Sequence, residues 1–408
     1  MEQAVRKIAL LGMGTVGGGV YEIIEKQKEE MPFKIGAALE VVKVLVRNKA
    51  KYADRIPAEK LTDVWEDVIG DDSIDIVVEV MGGIEPARTY IKAALEKGKH
   101  VVTANKDLMA MHGHELLELA GEHHCDLLFE AAVAGGIPII RPLKQCLAGN
   151  NITEIMGIIN GTTNFILTKM KEDGMDFGEA LQLATDLGYA EADPTADIEG
   201  YDAGRKLAIM ASIAFHTSVT FDDVFTEGIT KITAKDMRYA KEMGCSIKLL
   251  GIAKNTETGI EVKVHPTMIP ENHPLAAVND SFNAVFVHGD AVDDAMFYGR
   301  GAGKLPTASA VVADVVECAR HLQKTVGCLW EEGEAKVADF DSQEGRFFVR
   351  VLKKARADVE KVFGAVVPVV LDSALEEFAF VTESMQEAEF EKCREQISGF
   401  VKKIRIKD

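Results

Sequence analysis

The chain has 408 residues, 47% hydrophobic and 27% charged, the mixture of a folded globular protein, and at roughly 150 residues per domain it allows two or three domains. With 46 Lys and Arg against 65 Asp and Glu the net charge is −19; such a surface repels phosphate backbones and anionic lipid, so neither a nucleic-acid nor a membrane partner is expected. Apolar runs are short and interrupted, as at Ile74–Val80 with Asp75 inside, and nothing reads as an export signal.

The six cysteines (Cys125, Cys146, Cys245, Cys318, Cys328, Cys393) form no CxxC pair and read as reduced packing residues, which points to a cytoplasmic protein. Lys7–Leu11 is a compact apolar strand, followed by glycines and an amphipathic helix through Lys28. Strand-like runs then recur at Val41–Val46, Ile74–Val80, Lys99–Thr103 and Leu127–Phe129, with helices at Ala87–Glu96 and Leu108–His123 between them. Strands separated by helices predict a parallel, doubly wound sheet.

From about Pro138 to Gly303 the rhythm changes to an α+β pattern: strands at Ile152–Ile159, Ile247–Ala253, Glu261–Pro266 and Asn283–His288, helices at Gly178–Leu187 and Asp202–Phe215. Leu305–Leu322 is helical. Beyond Asp341 the order is strand Arg346–Leu352, helix Asp358–Phe363, strands Val366–Leu371 and Phe378–Thr382, helix Glu387–Val401 and strand Lys403–Ile406, a βαββαβ unit of ferredoxin-like type. The fold class is therefore α/β, with expected domains at 1–137 (completed by helix 305–322), 138–304 and 342–408.

Directly after the first strand comes GMGTVGGG, residues Gly12, Met13, Gly14, Thr15, Val16 and Gly17 followed by Gly18 and Gly19. In a GxGxxG turn the first glycine permits the tight turn and the second lets backbone approach a pyrophosphate. The third allows close packing, and the helix N-terminus offers N–H donors. Because this motif follows a strand and opens a helix, it predicts dinucleotide binding. After the second strand stands Arg47, with Lys49 and Lys51 close behind, where an acidic residue would mark NAD. A guanidinium suits a 2′-phosphate, so NADP is favoured with NAD possible; a solvated basic turn is the other reading of these residues.

Between Ala184 and Lys206 runs ATDLGYAEADPTADIEGYDAGRK. On a helix Asp202 and Lys206 share one face, close enough to pair. An acidic surface loop would carry the same composition. The segment, however, resembles the homoserine dehydrogenase signature at Ala184, Gly188, Asp193, Pro194, Asp197, Gly200, Asp202 and Lys206. So do GMGTVGGGV, EVMGGIEPAR (Glu79–Arg88), HVVTANK (His100–Lys106), EAAVAGGIPII (Glu130–Ile140), NGTTNFILT (Asn160–Thr168) and GRGAGKLPTASAVVAD (Gly299–Asp314), in order along the chain.

That resemblance implies NAD(P)-dependent interconversion of L-homoserine and L-aspartate 4-semialdehyde, on the way to threonine and methionine. It implies Lys206 as the proton carrier and Lys106 between cofactor and substrate. Glu191, Asp202 and Asp197 are then assigned to the substrate, with Gly161 and Thr162 in the pocket wall. Gly82, Thr103 and Gly303 join the loop residues as cofactor contacts. A sodium ion is implied at Glu130, Val133, Gly135 and Ile137, with carbonyls and one carboxylate suiting a hard cation. A homodimer is implied, or a homotetramer through the tails.

The tail looks like an ACT domain, an amino-acid-sensing module. The stretch Lys353–Phe363 (KKARADVEKVF) is basic and lacks the glycine such modules place after their first strand, so control by threonine does not follow from it. Two competing readings remain at this level: a related oxidoreductase of amino-acid metabolism, and a non-catalytic ligand sensor. The run Met111–Glu115 (MHGHE) lacks the second histidine of HExxH and is read as an ordinary helix surface.

Overall fold

A computed structural model describes residues 4–321, 335–371 and 376–407. Its residues fall into two compact units: the described parts of Met1–Asn150, Ala208–Phe221 and Phe297–Glu334 make one, and those of Asn151–Leu207, Asp222–Met296 and Ala335–Asp408 the other.

In the first unit, strands β1 (Ala4–Leu11), β2 (Ala37–Leu45), β3 (Leu61–Thr62), β4 (Ile76–Glu79), β5 (His100–Thr103) and β6 (Leu127–Leu128) form one parallel sheet in the order β3-β2-β1-β4-β5-β6. This is the doubly wound order, in which ligands bind at the carboxyl edge where strand order reverses, beside β1 and β4. Strands covered on both faces must be apolar throughout. β4 and β5 are buried at every residue. Helix Thr15–Lys26 follows β1, and Gly19 lets helix Lys304–Arg320 approach it; a Cβ there would stand 2.7 Å from the Lys304 carbonyl oxygen. The helix expected at 305–322 is thus observed over 304–320, and position 322 lies outside the described residues, as does Cys328.

The second unit is built on one large mixed sheet. Its strands are β7 (Ile152–Ile158), β8 (Phe225–Thr226), β9 (Cys245–Thr256), β10 (Gly259–Pro270), β11 (Phe282–Gly289) and β12 (Asp293–Arg300), then β13 (Glu344–Leu352), β14 (Val367–Val369), β15 (Glu377–Val381), β16 (Met385–Gln386) and β17 (Phe400–Ile406). They run in the order β12-β11-β7-β9-β10-β17-β13-β15-β14, with β8 beside β10 and β16 beside β13. β10 and β17 pair in parallel at Thr267↔Arg405 and Met268↔Ile406, so the tail extends the sheet of the middle segment.

Within the tail the succession is βαββαβ with a two-residue strand added, and Phe347, Val349, Val351, Val359, Phe380 and Phe390 form its own core. Two buried arginines tie it down: Arg350 donates to Asp236 and to Glu377 (2.9 Å), and Arg405 to Glu387 and Glu227 (2.6 Å). The long helix expected over Glu387–Val401 is corrected: it stops at Glu395, and Gly399 at φ +94 turns the chain so that Val401 lies inside β17. Helices Gly161–Glu172 and Ala234–Glu242 and strand β12 are not among the expected elements and emerge only here.

Candidate active site

At the carboxyl edge of the first sheet three loops converge, after β1, β4 and β5. Gly12 sits at φ +96 with its N–H on the Leu45 carbonyl (3.0 Å), and a Cβ at Gly17 would stand 2.2 Å from the Gly12 carbonyl oxygen. These two glycines are required by the protein's own backbone. Gly14 differs. A Cβ there would meet no protein atom within 4 Å, so its bareness serves the open side, where a pyrophosphate can lie against helix Thr15–Lys26.

The open side is a cleft of about 470 Å³ lined by Gly12, Met13, Gly14, Arg47, Tyr90 and Gly82 among others. Arg47 is exposed at its rim, while Lys49 is paired with Asp63 at 2.7 Å. Thr15 and Val16 form the first turn of the helix, and Gly303 (φ +122) caps helix Lys304–Arg320.

The floor of this edge is organised by a residue the motif analysis named only as a motif boundary. The Glu79 carboxylate, wholly buried, accepts from the N–H of Met81 (2.7 Å) and Gly82 (3.3 Å) and from the Thr103 hydroxyl (2.6 Å). Thr103 in turn accepts from the Asn105 N–H (3.0 Å), and Asn105 caps helix Lys106–Glu122 and donates to the Gly83 carbonyl (2.6 Å). The Thr103 side chain therefore positions the loops, and Lys106 stands partly buried as the first residue of that helix. The legible signal was a carboxylate ending the apolar run Ile76–Glu79.

The Glu130 carboxylate accepts from the backbone N–H of Ile139, Ile140 (2.8 Å) and Arg141 (2.7 Å), so it holds the start of the following turn. Val133, Gly135 and Ile137 are buried, and among the described residues no backbone N–H donates to their carbonyls.

The MHGHE run is an ordinary helix surface: Glu115 is bonded by Arg88 (2.6 Å) and Lys92 (2.6 Å), which hold its carboxyl below the usual range.

In the second unit the polar cluster closes around one amide. Lys206 donates to Asp202 (2.6 Å) and to the Ile159 carbonyl (2.9 Å), with the two side chains only 12% and 6% exposed. Asn160 donates through its amide nitrogen to both Asp197 (2.7 Å) and Asp202 (2.9 Å). Its amide oxygen accepts from the Thr163 N–H (2.9 Å), capping helix Gly161–Glu172. Asp197, Asp202 and Lys206 are thereby brought together, and Asn160, in the sequence only the first residue of the NGTTNFILT match, is the side chain that joins them.

Thr162 bonds the Tyr189 carbonyl (2.8 Å), and Gly161 lies against the Ser281 carbonyl, where a Cβ would stand 2.8 Å away. Glu191 is exposed and joins none of these bonds. Residues 278–282, which press on Gly161, are held by Asn164 and by the fully buried Lys248, which donates to the Val278 carbonyl and to Asn279 (3.1 Å).

Comparison with known proteins bears on this arrangement. The family model described as homoserine dehydrogenase matches residues 138–316, and that of the homoserine dehydrogenase NAD-binding domain matches residues 12–130. A homoserine dehydrogenase of Bacillus subtilis is 43% identical over 403 residues, 94% of this chain and 93% of its own. The chain belongs to the homoserine dehydrogenase family. One from Corynebacterium glutamicum is 52% identical over 319 residues, 77% of this chain and 72% of its own. The crystal structure of a homoserine dehydrogenase from Thiobacillus denitrificans superposes with a TM-score of 0.93 at 40% identity, covering 100% of this chain and 99% of that one. A hyperthermophilic archaeal homoserine dehydrogenase in complex with NADPH matches at a TM-score of 0.66 and 28% identity, covering 77% of this chain and 97% of its own. The activity is therefore nicotinamide-dependent interconversion of L-homoserine and L-aspartate 4-semialdehyde.

The cluster's scaffold carries a pH signature. Burial, reinforced by nearby Lys171, pushes the Lys248 ammonium down to about 8. In the unfolded chain a lysine titrates near ~10.4, so between these values the unfolded state binds the extra proton. The contribution of Lys248 to stability is thus full above about pH 10.4 and lost as pH falls through about 8. Relative to a Lys248→Met variant, the wild type is expected to gain about 3 kcal/mol between pH 8 and pH 10.5. Paired thermal melts across that range check it, and a difference that does not vary with pH refutes it.

Proposed function

We propose that Lys206 is the proton carrier of the reaction and that Asp202, Asp197, Glu191, Gly161 and Thr162 hold the amino-acid substrate. The observation that carries this reading is the ion pair of Lys206 with Asp202 inside a nearly dry polar cluster. A paired ammonium presents a proton to a substrate oxygen as negative charge develops there. In the reverse direction the freed amine takes it back, which is general acid–base catalysis with one group in two roles. Asp202 and Ile159 fix the direction of Nζ, and Asn160 fixes Asp202. The exposed Glu191 and the partly buried Asp197 are carboxylates suited to a substrate ammonium. A reduced nicotinamide supplies the hydride when bound. Lys106, at the switch-point edge, would lie next to that ring.

The same reading assigns the cleft beside Gly12–Gly17 to the dinucleotide, with Gly82 and Gly303 in contact and Arg47 facing the adenosine end. Arg47 at the rim favours NADP over NAD, because a guanidinium fork matches a phosphate. The carbonyls of Val133, Gly135 and Ile137, which take no backbone N–H among the described residues, fit a hard monovalent cation such as sodium, with Glu130 as a fourth ligand.

The tail's strand order, β17-β13-β15-β14 with two helices, supports an ACT-like module. Its first helix, Arg356–Phe363, precedes Gly364 rather than following a glycine, so the tail serves as an oligomerisation element or binds a ligand other than threonine, and a threonine titration against activity reads this directly. Exposed Met296 and Tyr298 on the end strand β12 support a homodimer, extended to a homotetramer through the tails; the setting is cytoplasmic.

Lys206→Ala is expected to lower kcat by about 10²- to 10⁴-fold with NADPH affinity unchanged in a fluorescence titration; near-normal turnover would end the assignment. Arg47→Ala is expected to raise KM for NADPH about tenfold more than KM for NADH, and equal effects on both would argue for a solvated turn. Exchanging sodium for a bulky organic cation should lower the melting temperature or the activity, and an unchanged enzyme counts against the cation site.

A further inference from the structure

The acidic segment does not hold itself in place. Asp197 lies in a helix of a single turn, Thr195–Ile198, and the chain leaves it through Gly200 at φ +83. Its support is the segment from Phe225 to Ile229. The Ile229 N–H donates to the Ile198 carbonyl (2.8 Å), and Gly228 lies so close that a Cβ there would stand 2.2 Å from that same oxygen. A Cβ at Gly200 would meet Thr226 at 3.0 Å and Val264 at 3.2 Å. At Gly228 the approach is backbone on backbone, to Ile198 and Glu199, with no side chain between to absorb a shift, so a displacement of residues 225–229 moves the backbone between Asp197 and Asp202.

The supporting segment has little regular structure of its own. β8 is two residues long, paired with β10 at Lys263↔Phe225 and Val264↔Thr226, and the Glu227 N–H adds one bond to the Val264 carbonyl (2.8 Å). Its further restraint comes from the last strand of the chain. Arg405 Nη1 donates to the Glu227 carboxylate at 2.6 Å, and the guanidinium lies over the rings of Phe225 (5.1 Å) and Phe340 (5.2 Å), which stack on each other. Arg405 is itself aimed: its Nε and Nη2 take both oxygens of Glu387, and β17 sets it opposite Thr267. A planar fork held on three sides has one orientation.

We propose that Glu227 and Arg405 are positioning residues for the substrate end of the reaction. Through Gly228 and Ile229 they set where Asp197 and Asp202 present their carboxylates, so the tail takes part in substrate binding without touching substrate. This rests on the assignment of Asp197, Asp202 and Lys206 to the substrate site.

The test uses the full-length enzyme with homoserine and NADP+. Glu227→Ala removes the contact while leaving the Arg405–Glu387 fork intact. It is expected to raise KM for homoserine about three- to thirtyfold, with KM for NADP+ and the melting temperature unchanged. Glu227→Gln, which keeps an acceptor for Arg405, is expected to restore most of the affinity. Arg405→Lys combined with Glu227→Ala should be no worse than the single variants together predict if the two act as one unit, and clearly less than additive.

An unchanged homoserine KM in Glu227→Ala overturns the proposal. So does a parallel rise of both KM values with a falling melting temperature, the mark of a merely structural role. If Lys206→Ala abolishes turnover while Glu227→Ala is silent, only the positioning role falls. If Lys206→Ala turns over normally, the site assignment falls and this proposal with it.

Discussion

A lysine ammonium moved out of water keeps its charge and its place only where acceptors replace the lost hydration. The cluster around Lys206 satisfies that constraint with one carboxylate and one backbone carbonyl, and every other feature of the second unit's site follows from meeting it. Asp202 is on the same helix one turn earlier, which fixes the pair to one face. Asn160 then has to neutralise the competition between two carboxylates, Asp197 and Asp202, by donating a proton to each. It can do so because its other amide atom is consumed in capping a helix, which locks the amide plane.

On the nucleotide side the constraint is shape rather than charge. Gly12 and Gly17 are glycines because backbone passes within a side chain's reach of them, whereas Gly14 is bare toward open space. The same distinction separates Gly161, Gly200 and Gly228, whose missing side chains are filled by neighbouring backbone or side chains, from a glycine kept free for a ligand. Beneath the loops Glu79 performs with three donors what Asn160 performs in the other unit: a buried acceptor or donor with several partners fixes loops that carry no regular structure.

The sequence made the first unit's sheet legible because buried parallel strands are continuous apolar runs and their glycines are spaced by backbone geometry. It made Lys206 and Asp202 legible because helical spacing alone puts them on one face. What it hid were roles that depend on partners distant in sequence. Asn160 joins residues 37 and 42 positions away, and nothing local distinguishes its side chain from a turn residue. The same holds for Glu130, whose carboxylate takes three N–H groups from residues nine to eleven positions later, which nothing local announces. The C-terminal helix was overdrawn because its apolar period continues into a strand, and the glycine that breaks it acts through a backbone angle.

Two lysines of the second unit, Lys206 and Lys248, differ in surroundings in a way that bears on proton transfer. Lys248 faces the Val278 carbonyl and the neutral amides of Asn164 and Asn279, and its burial, with Lys171 nearby, pushes it down to about 8. Its groups are all engaged in holding residues 278–282 against Gly161, so any change in its protonation would disturb the scaffold before it could reach a substrate. Lys206 keeps part of its side chain open and is bonded to a carboxylate that has a second donor in Asn160. A proton can therefore leave Nζ without stranding an unbonded acceptor, since Asp202 still has Asn160. The proposed proton carrier is thus the lysine bonded to a carboxylate, and the scaffold lysine the one bonded only to a carbonyl and neutral amides.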